Sequence, residues 1–182
     1  IVAGANTENT LADTENNNEE TGNTQAENAV IKCKDGSQVT LCGTGSLTIQ
    51  ANAKNGIKSG ATTQEEGEAG LTIRELTLNI GAANDAVNAE AALNVESGNL
   101  SISAGDDALH CDNTLSIGAD NTQGPTIAIS DCNEGLEGAA VNVFSGEVNI
   151  VSTDDCINAA NSDLSGFDYQ LNISGGSITA YT

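Results

Sequence analysis

The chain has 182 residues, with 26 acidic against 5 basic side chains and a formal net charge of −21. That length makes one domain at most. Aromatics are 2%, Trp and Met are absent and Gly reaches 20, which excludes a core built on large rings, while the acidity excludes nucleic-acid binding, which needs Lys and Arg to release phosphate counterions.

The five cations (Lys32, Lys34, Lys54, Lys58, Arg74) all precede position 75, and from Glu75 to Thr182 there are 16 carboxylates with neither Lys nor Arg. High charge with few aromatics is also the composition of disordered chains. Against disorder stand 38% hydrophobic residues, mostly small or β-branched and regularly spaced. No run of ~18 apolar residues is long enough to span a membrane as a helix. With no basic, then apolar leader and no initiator Met, the chain is expected either to be a mature, processed form or to lack its start.

Residues 1–30 are polar, with six carboxylates and no cation. They are expected to form an N-terminal arm that docks on the body or on a neighbouring molecule, ahead of a β domain over 31–182. From residue 39 two short alternating strands joined by a glycine-containing corner recur. The copies are VTLCGTGSLTI (39–49), LTIRELTLNI (71–80), LNVESGNLSI (93–102), LSI with PTIAI (115–117 and 125–129), VNVFSGEVNI (141–150) and LNISGGSITA (171–180). Their starting residues Val39, Leu71, Leu93, Leu115, Val141 and Leu171 are 32, 22, 22, 26 and 30 residues apart. Alternation with period 2 points to strands rather than helical repeats. The expected fold is all-β, a parallel β-helix of about six coils spaced ~4.8 Å apart. After the second strand most copies run through an Asn or Asp pair to a branched residue, giving the column Ile57, Val87, Leu109, Leu136 and Ile157. Before it lies a corner of small residues, Gly56, Ala86, Ala108, Gly135 and Cys156, where backbones approach closely.

Five cysteines allow at most two disulfides. Cys33 and Cys42 are near enough in sequence for one of them, whereas Cys111 and Cys156 read as buried small hydrophobes. His110 has no second His and no CxxC beside it, so it is expected to be structural.

The candidate chemistry is in the turn after the second strand. Asn84, Asp106, Asn133 and Asp154 form one column, with Asp85, Asp107, Glu134 and Asp155 beside it, and a third holds Asn88, His110, Glu137 and Asn158. Carboxylates ~5 Å apart repel by ~0.8 kcal/mol in water and ~3 kcal/mol at an effective dielectric of 20. With no Lys or Arg in this half, Ca²⁺ is the expected counter-charge, since it takes 6 to 8 oxygens of this type. The alternative is a solvated acidic face in which Asn and Asp serve turn geometry.

The segments GDDALHCDNTLSI (105–117), EGLEGAAVNVFSGEVNI (134–150) and STDDCINAANSD (152–163) resemble the bacterial secreted carbohydrate-binding domain family. Its members carry GDDGIHAD, EGIEG and DDGINAA in the same order. The resemblance implies a right-handed β-helix of pectate-lyase-like architecture, extracellular or cell-surface localisation with the signal peptide already removed, Ca²⁺ binding, no catalysis, and a polysaccharide partner of acidic, pectic or cellulosic type. By motif it carries over Asp106, Asp107, Asp112, Glu134, Glu137, Asp154 and Asp155 as calcium ligands, to which the column reading adds Asp85.

Phe144 and Tyr169 are the candidate sugar-stacking rings, with Phe167 and Tyr181 the only other aromatics. A lyase needs a positioned base such as Arg or Lys, and neither follows Arg74. An inverting hydrolase needs a carboxylate pair roughly 6.5 to 9.5 Å apart. Asp106, Asp107, Asp154 and Asp155 could supply one, and GDD resembles polygalacturonases, but their GHG and RIK motifs are missing. An enzyme is therefore not expected. The remaining alternative is a self-assembling filament or matrix subunit, stacked head to tail through uncapped ends and the N-terminal arm.

Overall fold

Alternating Leu, Ile and Val opposite small polar residues give strands with one buried and one open face. The computed structural model describes residues 1–14, 29–161, 164 and 166–182. Among these every regular element is a β-strand. The first strands are β1 (Glu8–Ala12), β2 (Ala29–Cys33), β3 (Gln38–Cys42), β4 (Ser46–Ala51), β5 (Asn55–Ser59), β6 (Gly70–Arg74), β7 (Thr77–Ala82) and β8 (Val87–Ala89). Then follow β9 (Ala92–Val95), β10 (Asn99–Ala104), β11 (Leu109–Ile117), β12 (Thr126–Asp131), β13 (Leu136–Val143), β14 (Glu147–Val151), β15 (Ile157–Asn158), β16 (Gln170–Ile173) and β17 (Ser177–Tyr181).

One sheet runs β1-β4-β7-β10-β12-β14-β17, so successive passes of the chain lie side by side and parallel. The other has two arms, β2-β5-β8 and β3-β6-β9, joined by β11. Leu109 to Cys111 pair with β8 and Thr114 to Ile117 with β9. β13 continues both arms, pairing β11, β15 and β16.

The registers expected from spacing are the observed ones. Val39 pairs Leu71, Leu71 pairs Leu93, Leu93 pairs Leu115, Leu115 pairs Val141 and Val141 pairs Leu171. The branched column is likewise in register from Ile57 to Ile157, with Ile31 of β2 preceding it. A one-residue slip would turn every such side chain outward, so the buried face fixes the pairing.

Corners explain the small residues. A Cβ on Gly56 would lie 2.5 Å from the Ala86 carbonyl oxygen, and one on Gly135 the same distance from that of Cys156. Gly98, between β9 and β10, has φ +109° and a Cβ there would meet the Leu76 carbonyl oxygen at 2.4 Å. Only glycine takes that conformation without strain.

Of the segment expected as an arm, residues 15–28 lie outside the described residues. Residues 1–14 pair with the chain's own body: Val2 bridges Cys42, and β1 pairs β4 with Asn9 beside Leu47 and Leu11 beside Ile49.

All five cysteines are free. The Cys33 to Cys42 bridge that the sequence allowed is not formed: Cys33 is buried in the core, and the Cys42 Sγ faces the Ile1 carbonyl oxygen at 3.8 Å. Cys111 is buried as expected, beside Ala89. Cys156, expected buried, is half-buried, with its Sγ 3.2 Å from the Ser152 hydroxyl. Burial pushes the Cys111 and Cys132 thiols up to about 11, where almost no thiolate forms at neutral pH. Native-state alkylation at pH 7.5 should label Cys42 and Cys156 first and leave Cys111 and Cys132 unmodified until denaturant is added. Mass spectrometry of the peptides checks this, and early labelling of Cys111 would contradict the packing described.

Candidate metal centre

The turn columns are continuous. Asp106 N–H donates to the Asn84 carbonyl, Asn133 N–H to that of Asp106, and Asp154 N–H to that of Asn133. In the neighbouring column Ala86 N–H donates to the Asp107 carbonyl, and Ala108 and Gly135 N–H groups to those of Glu134 and Asp155. Each acidic turn is thus held against the next by backbone bonds, and the side chains face neighbouring turns at fixed spacing.

Asp85, 5% exposed, is the innermost carboxylate. Asn84 Nδ2 donates to its Oδ1 at 3.1 Å and Asn88 Nδ2 to its Oδ2 at 2.6 Å. Asp107 N–H adds a bond at 3.3 Å. Burial still dominates and holds its carboxyl above the usual range. Behind it Asn55, 2% exposed, accepts from Asn84 Nδ2 and Asp85 N–H.

One oxygen each from Asp85, Asp106 and Asp107 lie within 4.8 Å of one another, as do ligand atoms of Asp107, His110 and Glu137. Asp107 joins the two groups. His110 sits between β8 and β13, in register with Asn88 and Glu137. Its Nδ1 faces Glu137 Oε2 and, at 3.4 Å, Asp107 Oδ2, while its Nε2 donates to Asp112 Oδ1 at 2.8 Å. Burial would pull the imidazolium down, but three carboxylates overrule it and raise the group to about 12. Glu137, which burial alone would push up, is held below the carboxylate range by His110.

With no second soft ligand beside it, His110 reads in the sequence as structural. Neither Lys nor Arg follows Arg74, yet the acidic half has a cation in protonated His110. The signal lies in the third column, which carries Lys32 and Lys58 ahead of Asn88 and continues through His110 to Glu137.

The other expected ligands are distributed differently. Glu134 accepts from Asn158 Nδ2 at 2.9 Å, and burial holds its carboxyl high, with Glu137, Asp107 and Asp155 adding to the shift. Asp154 and Asp155 are exposed and, among the described residues, join no group of three close ligand atoms. The converging carboxylate oxygens of Asp85, Asp106 and Asp107, one from each, are hard donors of the kind that suit Ca²⁺ or Mg²⁺.

The aromatic candidates lie on separate segments. Phe144 follows β13 and lines a groove of about 250 Å³ with Asn94, Glu96, Ser116 and Asp120. Tyr169 precedes β16, its hydroxyl donating to the Asn161 carbonyl at 2.6 Å, with the Phe167 ring centroid 6.1 Å away. Among the described residues no helix is long and apolar enough to cross a membrane.

A family model described as "carbohydrate-binding domain-containing protein" matches residues 1–182. Comparison with curated proteins and with solved structures gives no match.

Proposed function

Because the chain belongs to the carbohydrate-binding domain-containing family, we propose that it is an extracellular, non-catalytic glycan-binding protein whose acidic turns hold Ca²⁺. We read its parallel sheets as the walls of a right-handed β-helix over residues 31–182, with residues 1–14 laid on its first strands. The observation that carries the calcium reading is the convergence of Asp85, Asp106 and Asp107 within 4.8 Å. Three carboxylates at that spacing repel strongly unless a cation is shared, and His110 touches only the outer one, Asp107. Glu137, Asp112 and Glu134 border the site.

An ion seated there would bridge the protein to uronate carboxylates that a net charge of −21 otherwise repels. Retention on immobilised polygalacturonate is expected in millimolar Ca²⁺ and lost in EDTA. Thermal melting in parallel should show a rise on adding Ca²⁺: at 100 times the dissociation constant the gain is about 2.7 kcal/mol. No melting shift in the parent protein would sink the calcium reading, and equal failure to bind in both buffers would sink the acidic-glycan one.

End-to-end assembly is the second reading. Leu171 and Ile173 of β16 are 47% and 55% exposed, although their counterparts Val141 and Val143 are fully buried. Open edges with apolar side chains favour strand addition. Sizing in Ca²⁺ tests it, a strict monomer at high concentration being the contrary result.

A further inference from the structure

The two ring nitrogens of His110 have different tasks. Nε2 meets Asp112 Oδ1 at 2.8 Å, and Asp112, two residues on along β11, stands on the same face of the strand. Nδ1 is the nitrogen turned toward the acidic turns, where it faces Glu137 Oε2 and, at 3.4 Å, Asp107 Oδ2. With the Nε2 proton given to Asp112, Nδ1 of the neutral ring carries a lone pair. Two carboxylates aimed at a lone pair repel it unless a cation lies between them. A ring N–H held by a carboxylate is also the arrangement behind metal-bound histidines, where the outer carboxylate fixes the tautomer and the direction of the opposite lone pair.

The distances suit a small ion. Ligand atoms ~2.0 to 2.2 Å from a tetrahedral Zn²⁺ lie ~3.3 to 3.6 Å from one another, and the separation of Nδ1 from Asp107 Oδ2 is such an edge. The ligand atoms of Asp107, His110 and Glu137 all fall within 4.8 Å of one another. They come from the turn before β11, from β11 itself and from the residue in register with His110 on β13, so backbone ladders fix their spacing. The three side chains are 13 to 20% exposed, which lets an ion enter and a water complete its coordination.

We propose that Asp107, His110 and Glu137 bind a transition metal ion of the Zn²⁺ class, with Asp112 as the positioning carboxylate. Ca²⁺ takes oxygen ligands, whereas imidazole suits Zn²⁺ and its neighbours in the transition series. The site is therefore distinct from the all-oxygen group of Asp85, Asp106 and Asp107, although Asp107 belongs to both and would bridge two unlike ions. Its nitrogen ligand is one the calcium reading does not use. Seated there, the ion ties the turn before β11 to β13.

The test is isothermal titration of the full chain with Zn²⁺ in millimolar Ca²⁺, after alkylating Cys42 and Cys156 so that these thiols do not compete. One Zn²⁺ per chain is expected, and Co²⁺ in its place should give the visible absorption of a four-coordinate site. Asp112→Ala, which leaves all three ligands in place, should weaken Zn²⁺ binding by about 10- to 100-fold, the usual effect of losing the partner behind a ligand. His110→Gln should weaken it further. Both variants should keep the rise in melting temperature on adding Ca²⁺, and melting curves in EDTA establish that each is folded. Equal Zn²⁺ binding by the parent and His110→Gln would overturn the proposal, as would a parent that takes up no Zn²⁺ or one from which Ca²⁺ displaces it mole for mole. Zn²⁺ uptake by a parent that shows no melting shift with Ca²⁺ would support this site and overturn the calcium reading alone.

Discussion

Leu115→Ala is expected to destabilise the protein by about 3 to 5 kcal/mol, the upper part of the range for truncating a buried leucine. Leu115 is fully buried on β11 and lies in register between Leu93 and Val141, both also fully buried. Its backbone is hydrogen-bonded to a strand on each side, so the surroundings cannot close on the cavity without breaking two ladders. At about 2 to 4 °C per kcal/mol for a chain of this size, the melting temperature should fall by about 6 to 20 °C. The equivalent change at Leu171, which is 47% exposed, should cost under half as much. Urea or thermal unfolding of the two variants provides the comparison, and equal losses would mean that the rungs are packed alike.

Replacing His110 by Gln should be the next most damaging change, with a pH signature of its own. In calcium-free protein the imidazolium is the cation that Asp107, Asp112 and Glu137 share. Removing one partner of a buried ion pair costs 3 to 5 kcal/mol. With Asp112 41% exposed, solvent screening reduces this to about 2 kcal/mol. The folded group titrates near 12, against about 6.5 in the unfolded chain. Its contribution is therefore complete below pH 6.5 and declines as pH rises from there toward 12, because the unfolded state loses the proton first. The ceiling on that slope is about 1.4 kcal/mol per pH unit. Asp85, an acid held high by burial, acts with the same sign at lower pH, since ionising it in the folded state costs stability. Denaturant titrations in EDTA at pH 6 and pH 9 should show the parent weaker at pH 9 and the Gln variant with little of that difference. A parent equally stable at both values would contradict the imidazolium assignment.

What was readable in the sequence is what a period of two can encode. Val39, Leu71, Leu93 and Leu115 each open an alternating run, and those equivalent positions are in register on β3, β6, β9 and β11. The glycine corners were readable for the same local reason. β1 was not, since ENTLA offers one apolar residue, Leu11, at the inward positions, and a single leucine is too weak a signal against the polar residues around it. The acidic site was half readable. Asp106-Asp107 and Asp154-Asp155 are the same dipeptide at equivalent positions, yet the first pair is half-buried beside Asp85 and the second exposed. Depth depends on what lies on either side of a turn, which no local pattern records. The charge on His110 was hidden likewise, because it is created by Asp107 and Glu137, which come from different turns of the chain.

The register columns also make the molecule's length a counted quantity. Leu71, Leu93 and Leu115 are 22 residues apart, and each interval returns the chain to the same place in both sheets. Excising one such interval, or duplicating it, would bring equivalent residues into contact across the junction and change the length by a single strand spacing of ~4.8 Å. Any other number of residues would have to be absorbed in a loop. Evolution or an engineer can therefore lengthen both sheets in whole steps, each adding one more strand to either wall without redesigning the core.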